Sequence, residues 1–223
     1  MSNVSTNFKI FLLTAWILSL IGQIARADSD TVTKKPAQMP TAAKTIPAPK
    51  KVVDFEAKST PLQFGWIGVT DTIMGGKSSV TVSIVPDGAS GSKQSLKLSG
   101  SVIAGKNPYI MFAGAATMFQ GGKVLYDVTG YSGVKFWAKG DGNTYRIDFP
   151  IAAVTDFMFH SFSITPPTGE WKEYKIPFVG FKQMPYGKKV PWTGTDVKGV
   201  EFFTVGGPIE KFSLQVDEIE FYK

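Results

Sequence analysis

Residues 134–149 read VKFWAKGDGNTYRIDF, two runs of alternating apolar and polar side chains on either side of a glycine-rich turn. Alternation with period two is typical of β-strands that bury one face. The stretch therefore predicts two strands, each with one buried face. The buried residues would be Val134, Phe136 and Ala138 in the first strand and Tyr145, Ile147 and Phe149 in the second.

The same alternation recurs through residues 52–223, and Gly- and Pro-rich turns separate the runs. Long amphipathic helical patterns are missing, so the pattern predicts an all-β domain, an antiparallel β-sandwich of jelly-roll type. The apolar parity changes between Val216 and Ile219, which predicts a β-bulge near Asp217 and Glu218. Residues 107–120 lack clean alternation and fit either a buried strand pair or a short helix. Further inward residues are Val80, Val82, Ile84, Leu96, Leu98, Tyr174, Ile176, Val200, Phe202, Thr204, Phe212, Leu214 and Val216.

The first 27 residues have the pattern of a secretory signal: a short polar start, an apolar run, and Ala25-Arg26-Ala27 at the end. We expect an exported protein, periplasmic or extracellular; the alternative is an uncleaved anchor that tethers the domain to the membrane. Residues 28–51 are rich in Pro, Ala, Lys and Thr and predict a disordered linker.

The composition limits the chemistry of the 223-residue chain, which has no Cys and one His. Disulfides, thiol nucleophiles and Cys/His zinc sites are excluded. The net charge of +6 is concentrated at the start, where the first 51 residues hold seven of the 24 basic and two of the 18 acidic residues. The rest is nearly neutral, so no nucleic-acid partner is expected.

Two features resemble catalytic machinery. His160 lies in an aromatic run, FMFHSFSI, and is interpreted as a satisfied core or edge histidine rather than a general base. Asp217, Glu218 and Glu220 cluster in the last strand, and paired carboxylates are what a glycosidase needs. We interpret them as ordinary surface carboxylates and expect no enzyme.

Several separated motifs, taken together, resemble the complex I intermediate-associated protein 30 domain family. A Trp is followed by Asp-x-x-Met-Gly-Gly-x-Ser, then come Gly-Asp-Gly with a Tyr, and Gly169-Glu170-Trp171 before Ile176-Pro177-Phe178. The motif residues are Trp66, Asp71, Met74, Gly75, Gly76, Ser78, Gly140, Asp141 and Gly142. They span almost all of residues 52–223.

The resemblance implies a galactose-binding-like jelly roll that is related to family 11 carbohydrate-binding modules and has no established catalytic machinery. Members of the family assist the assembly of respiratory and photosynthetic complexes, but an exported chain would not meet the peripheral arm of complex I. Two functions follow: an exported binding protein for a glycan, or a protein-binding assembly factor or chaperone for a membrane or envelope complex. For the Met-Gly-Gly motif, a structural turn capped by Asp71 is preferred over a ligand role.

Trp137 falls on the opposite side of its strand from the apolar set, and Arg146 and Asp148 do the same on the next strand. If the two strands pair, these three residues share a face on which a sugar ring could stack and hydrogen-bond. The alternative is that a second sheet or a loop covers this face and that Trp137 is a core residue.

Acidic residues at the two ends of the domain, Asp54, Glu56 and Asp217, would meet if the first and last strands pair. Oxygen ligands of this kind suit Ca²⁺. A structural calcium is the one cofactor that the sequence suggests, and plain surface carboxylates are the preferred interpretation.

Overall fold

The computed structural model describes residues 43–105 and 110–223. These residues form β-strands joined by loops and by short 3-10 turns. The strands are β1 (Lys44–Pro47), β2 (Lys51–Val53), β3 (Trp66–Thr70), β4 (Ser79–Pro86), β5 (Gln94–Val102), β6 (Ala113–Met118), β7 (Val124–Asp127), β8 (Gly133–Lys139), β9 (Tyr145–Phe149), β10 (His160–Ile164), β11 (Lys172–Pro177), β12 (Lys182–Gln183), β13 (Gly199–Thr204) and β14 (Ile209–Tyr222). The turns are Pro61–Phe64, Asp71–Met74, Phe119–Gly122 and Phe178–Gly180.

The strands assemble into two sheets that face each other. Sheet I has the order β12-β10-β9-β13-β6-β3, and sheet II has the order β11-β8-β14-β5-β4, with β2 also paired to β14. Neighbours within both sheets are antiparallel, whereas β1 and β7 form a separate parallel pair. The predicted all-β antiparallel sandwich is confirmed.

The core lies between the two sheets and is built from the inward residues that the alternation predicts. Phe202 of sheet I lies at its centre: its ring is stacked with Trp66 at 6.0 Å and meets Phe136 of sheet II edge-on at 5.4 Å. Such aromatic pairs add stability beyond the area they bury. The two inner faces therefore hold each other through large interlocking rings.

The predicted bulge is present in β14. Val216 and Ile219 are both buried, and the register with β8 shifts between Asp217 and Glu220. Glu218 has φ 51°, which takes up the extra residue and returns the apolar side chains to the core. Within the stretch that fits either a strand pair or a helix, the structure has strand β6 followed by the turn Phe119–Gly122; residues 106–109 lie outside the described residues.

The linker prediction is wrong at its end. Residues 44–47 form β1 and pair with β7, and the next residue, Ala48, is buried. The hydroxyl of Tyr131 donates a hydrogen bond to the carbonyl oxygen of Ala48 at 3.1 Å. Composition alone indicates disorder here, but a partner strand and a core contact order the segment. The rest of the predicted linker up to residue 42, and the predicted signal at 1–27, lie outside the described residues.

In the part of the chain that the structure describes, no helix is long and apolar enough to cross a membrane.

Candidate functional site

The two strands of the opening stretch do not pair. Strand β8 lies in sheet II between β11 and β14, and β9 lies in sheet I between β10 and β13. The turn at Gly140–Gly142 therefore crosses from one sheet to the other. As a result Trp137 is on one outer surface of the sandwich, and Arg146 and Asp148 are on the opposite one, so the predicted three-residue face does not form.

Trp137 lies half-buried on the outer face of sheet II, and its cross-strand neighbours are Glu173 and Asp217. It is not among the residues that pack against the core. The alternative in which Trp137 is a core residue is therefore also wrong.

The outer face of sheet I carries two cross-strand rows of side chains. Because successive residues of a strand point to opposite faces, these rows lie between the buried ones. One row runs across all six strands through Lys182, Ser161, Asp148, Glu201, Ala116 and Ile67. The other runs through Ser163, Arg146, Phe203, Gly114 and Val69.

Arg146 is fixed at the centre of this face. Its Nε donates a hydrogen bond to Asp148 Oδ2 at 2.8 Å, and its guanidinium lies 5.6 Å from the ring centre of Phe203. Its Nη1 reaches Met184 Sδ at 3.5 Å. The Arg146 side chain remains 24% exposed, so part of its donor fork faces solvent.

Two carboxyl groups lie beside this arginine with unused acceptor capacity. Asp148 is 1% exposed, and its Oδ1 is buried without a hydrogen-bond partner in the described residues. Glu201, its cross-strand neighbour, is half-buried and forms no side-chain hydrogen bond to any described residue. Buried polar groups are normally paired, so unpaired ones at a surface point to a ligand.

Burial of Asp148 and Glu201 raises the pKa of both carboxyl groups. Burial raises the pKa of Asp148 to about 6, although Arg146 acts in the opposite direction. Burial and the neighbouring Asp148 raise the pKa of Glu201 to about 8, against the lowering effects of Arg146 and Lys198. At neutral pH the Glu201 carboxyl is mostly uncharged and can both donate and accept a hydrogen bond.

The Asp-x-x-Met-Gly-Gly-x-Ser motif forms a hydrogen-bond network around the buried side chains of Asp71 and Ser78. Asp71 is fully buried; its Oδ1 accepts the N–H of Ser78 at 3.0 Å, and its Oδ2 accepts the Ser78 hydroxyl at 2.6 Å and the N–H of Phe112 at 3.3 Å. Ser78 Oγ in turn accepts the N–H of Ile103 at 3.1 Å. The motif thus joins the β3–β4 connection to the end of β5 and the start of β6.

The backbone geometry explains why glycine occupies both positions 75 and 76 of this motif. Gly75 has φ 82° and ends the turn Asp71–Met74, a conformation that favours glycine. A Cβ on Gly76 would overlap the carboxylate of Asp71. These contacts support the structural interpretation of the motif; Met74 is half-buried within the turn, and Trp66 is a core residue.

Asp141 of the Gly-Asp-Gly motif has a similar role. Its carboxylate accepts the Tyr145 hydroxyl at 3.0 Å and the N–H of Ser213 in β14 at 2.6 Å. Gly142 has φ 82°. The motif therefore anchors the crossing between the sheets to a central strand of sheet II.

The acidic residues predicted to meet near the first and last strands do not form a metal site. Strands β2 and β14 do pair, as that prediction required. However, Glu56 Oε1 accepts Ser92 Oγ and the N–H groups of Lys93 and Gln94, and Asp217 accepts the N–H groups of Ala89 and Glu218. Asp54 instead faces Lys51 and the N–H of Glu56. Within residues 43–105 and 110–223 no three acidic or imidazole groups gather for a metal ion.

The acidic cluster of the last strand has structural contacts. Asp217 is fully buried, so its interpretation as a surface carboxylate is wrong. Glu218 pairs with Lys51 at 3.0 Å, and Glu220 pairs with Lys135 at 3.4 Å. Each of the three carboxylates is therefore held by a partner of its own, and they do not form a free pair.

His160 is a core residue, packed edge-on against Trp192 at 5.5 Å. The interpretation as a core histidine is confirmed, but the satisfied state is not, because its buried Nδ1 has no hydrogen-bond partner among the described residues. Burial lowers the pKa of His160.

The sequence profile of a known family, Complex I intermediate-associated protein 30 (CIA30), matches residues 53–216. The chain belongs to this family. Two of the motifs that carry the resemblance, those of Asp71 and Asp141, form the carboxylate hydrogen bonds described above, which hold the sandwich together.

Solved structures similar to this member of the CIA30 family include carbohydrate-binding modules of Clostridium thermocellum. A family 11 module in complex with a β-1,3-1,4-mixed-linked tetrasaccharide is 20% identical, with a TM-score of 0.58, over 78% of this chain and 94% of the module. A family 30 module of the cellulosomal cellulase Cel9D-Cel44B is 14% identical, with a TM-score of 0.55, over 78% of this chain and 97% of the module. These likenesses show the jelly-roll fold. A search of curated protein sequences finds no match.

Glu201 and Phe203 belong to the candidate site of this CIA30 member, but the sequence analysis missed them. A signal was present: Glu201 is the one charged residue in the strand GVEFFT. It could not be placed beside Asp148 because the order of strands in a sheet is not readable from alternation. The basic residue Lys182 was missed for the same reason.

We expect Asp71→Ala to lower the free energy of unfolding by about 3–5 kcal/mol, because two buried donors and one part-buried donor lose their acceptor. Urea unfolding measures the change. Asp54→Ala is the control: its carboxylate is near the surface, and a loss below about 1 kcal/mol is expected. Full stability of Asp71→Ala, with ligand binding lost, would show that the motif is a binding site.

Glu201 makes stability fall as pH rises. The pKa of its carboxyl is about 8 in the folded chain, against the usual 4.5, so the folded state holds the proton more tightly than the unfolded state does. This contribution to stability is complete below pH 4.5 and is lost as the pH rises from 4.5 to about 8. Glu201→Gln resembles the protonated form and should raise Tm at pH 9 by about 3–8 °C, with little effect at pH 4. Thermal unfolding by circular dichroism measures this. The exposed Glu210→Gln is the control, and equal Tm values for wild type and Glu201→Gln at pH 9 would contradict the prediction.

Proposed function

We propose that this chain is a non-catalytic binding protein that recognises a carbohydrate on the outer face of sheet I. The observation that carries the proposal is the cluster of Arg146, Asp148 and Glu201. It combines a partly exposed donor fork with Asp148 Oδ1, which has no partner in the described residues, and with the half-buried carboxyl of Glu201. A ligand with several hydroxyl groups would satisfy both kinds of group.

A sugar also fits the neighbours of this cluster. Sugar recognition combines hydrogen bonds with contact to flat apolar surface. The hydroxyl groups of Ser161 and Ser163 continue the two rows toward the sheet edge. Phe203 is 6% exposed and supports the guanidinium of Arg146 from below, whereas the exposed ring of Tyr186 lies in the loop after β12. The fold shared with carbohydrate-binding modules, one of them solved with a bound tetrasaccharide, supports the same ligand class.

The cluster favours binding over hydrolysis. A glycosidase needs two carboxyl groups that reach opposite sides of the scissile bond. Asp148 is 1% exposed and is held by Arg146, so it is not available as a nucleophile or base at the surface. The carboxylates of β14 are held in the contacts described above.

Export is part of the proposal and rests on the sequence of the leader. The apolar run that precedes Ala25-Arg26-Ala27 has the arrangement of a cleaved secretory signal. The chain would then work in the periplasm or outside the cell, where envelope and environmental glycans are found.

A second candidate, an assembly factor that binds a protein of a membrane or envelope complex, is favoured by a different surface. A shallow apolar groove lies where the edge strands β3 and β4 approach each other, lined by Ile67, Val80 and Val82. Leu62 beside it is 72% exposed. Exposed apolar side chains of this kind suit a protein partner.

The two outer faces can be compared directly by titrating polysaccharides into the purified protein in a calorimeter. Arg146→Lys keeps the charge beside Asp148 but loses the planar fork, and we expect at least about tenfold weaker binding. Glu201→Gln tests the second group. Trp137→Ala on sheet II is the matched control and should bind as wild type does.

Loss of binding in Trp137→Ala alone would move the site to sheet II. No polysaccharide binding by folded wild type would overturn the carbohydrate proposal and favour the assembly factor, which would then be sought by its co-purification with one envelope complex from the native host.

We expect the mature protein to begin at Asp28, after cleavage that follows Ala27. Mass spectrometry of the protein recovered from the periplasm or medium would show it. A full-length protein in the membrane fraction would support the uncleaved anchor, and one in the cytoplasm would contradict export.

A further inference from the structure

Three exposed lysines, Lys182, Lys188 and Lys189, follow one another along the β12 edge of sheet I and are called the basic rim below. Tyr186 lies between them and is 74% exposed. Within the described residues, none of the three ammonium groups forms an ion pair. The rim is therefore a local excess of positive charge.

The basic rim is held against the candidate site by Met184. Its sulfur contacts Arg146 Nη1 at 3.5 Å, and its carbonyl oxygen accepts Lys189 Nζ at 2.8 Å. On the same face, Lys182 is the cross-strand neighbour of Ser161, which in turn neighbours Asp148. The rim and the cluster thus form one continuous surface.

The loop that carries the rim is fixed by hydrogen bonds. Asp156 accepts the N–H of Lys188 at 2.8 Å, and Gln183 bonds the carbonyl oxygen of Lys188 and the N–H of Val190, both at 2.9 Å. The carboxylate of Asp156 accepts hydrogen bonds from the backbone N–H groups of Met158 and Lys188.

Two of the ammonium groups are held as well, because Lys182 Nζ donates to the carbonyl oxygen of Val179 at 2.9 Å and Lys189 Nζ donates to that of Met184. Ordered cations bind a ligand at a lower entropic cost than mobile ones do.

The carboxyl groups on the face do not cancel this charge at neutral pH. Asp148 is paired with Arg146, and burial raises the pKa of Glu201 to about 8, so Glu201 is mostly uncharged. Lys198, close enough to act on Glu201, adds a further positive charge. The lysines of the rim therefore face a surface with little negative charge.

On the outer face of sheet II, acidic side chains neutralise the two lysines of β8. Lys135 pairs with Glu220 at 3.4 Å, and Lys139 is bonded to Asp87. Lys175 on the same face lies over an aromatic ring of its own domain, 4.4 Å from the ring centre. The outer face of sheet I differs because it joins lysines without an ion pair to hydrogen-bonding groups that are still unused.

We propose that the carbohydrate taken by the outer face of sheet I is anionic, a polysaccharide bearing uronic-acid carboxylates or sulfate esters. Its charged groups would lie on the basic rim and on the free part of the Arg146 fork, and a sugar ring would lie on Tyr186. This inference rests on the proposed carbohydrate function and names its ligand class.

The test compares each charged polysaccharide with a neutral form of the same backbone. Polygalacturonate is set against fully methyl-esterified pectin, and carrageenan against desulfated carrageenan, each titrated into the full chain at low and high NaCl. We expect one charged form to bind at least about tenfold more tightly than its neutral partner, with affinity falling as salt rises. A preference for polygalacturonate would identify carboxylate as the recognised group, and a preference for carrageenan would identify sulfate.

Two triple variants distinguish the effect of the basic rim on binding from the effect of the protein's net charge. The triple variant Lys182→Gln, Lys188→Gln and Lys189→Gln should lose at least about tenfold in affinity and most of the salt dependence. The control carries the same charge change on exposed lysines elsewhere: Lys172→Gln, Lys175→Gln and Lys211→Gln. It should bind as wild type does.

Equal binding of charged and neutral forms, unchanged in the rim variant, would overturn the anionic ligand and leave the carbohydrate function standing. No binding to any polysaccharide would overturn both. Equally tight binding to vesicles of anionic phospholipid, insensitive to Arg146→Lys, would show a nonspecific cationic surface and overturn the inference.

Discussion

The buried carboxylate of Asp71 joins the two sheets at one end of the sandwich. It accepts hydrogen bonds from the β3–β4 connection and from the start of β6, and through Ser78 it reaches the end of β5. Strands β3 and β6 belong to sheet I, and β4 and β5 belong to sheet II. Without this acceptor, the backbone N–H groups of Ser78 and Phe112 and the hydroxyl of Ser78 would lose their partner at the junction, which is costly. The stacking of the two inner faces depends on this junction being closed.

The acidic residues of this domain divide into two groups by how their oxygen atoms are used. Asp71, Asp141, Glu56 and Asp217 accept backbone or hydroxyl donors and order loops. Asp148 Oδ1 has no such donor among the described residues. The half-buried carboxyl of Glu201, its cross-strand neighbour, forms no side-chain hydrogen bond to any of them. Charge and burial alone do not separate these groups, since Asp71, Asp217 and Asp148 are all almost fully buried. The hydrogen-bond partners separate them and mark one face of sheet I as the surface where a ligand can add contacts.

Where it is clean, as in β8, β9 and β13, alternation in the sequence assigns the inward side of the strand, and it also locates the bulge in β14, because period two is imposed by the strand itself. It cannot assign neighbours. Placing Trp137 and Arg146 together assumes that consecutive strands pair, whereas here the Gly140–Gly142 turn crosses between sheets. Glu201, distant in sequence, becomes the neighbour of Asp148 through strand order. Composition also misplaces the start of the domain, since a strand such as β1 is ordered by its partner and not by its own residues.

The crossing at Gly140–Gly142 has a consequence for how the surface can change over time. Strands β8 and β9, which follow one another in the chain, present their outward side chains to opposite sides of the molecule, and the core between two packed sheets is about 10 Å thick. Substitutions at Lys135, Trp137 or Lys139 therefore alter one surface and leave the surface around Arg146 and Asp148 untouched. The amino-acid sequences of the two outer faces are therefore able to diverge independently. One face can acquire a new binding partner while the other keeps its own.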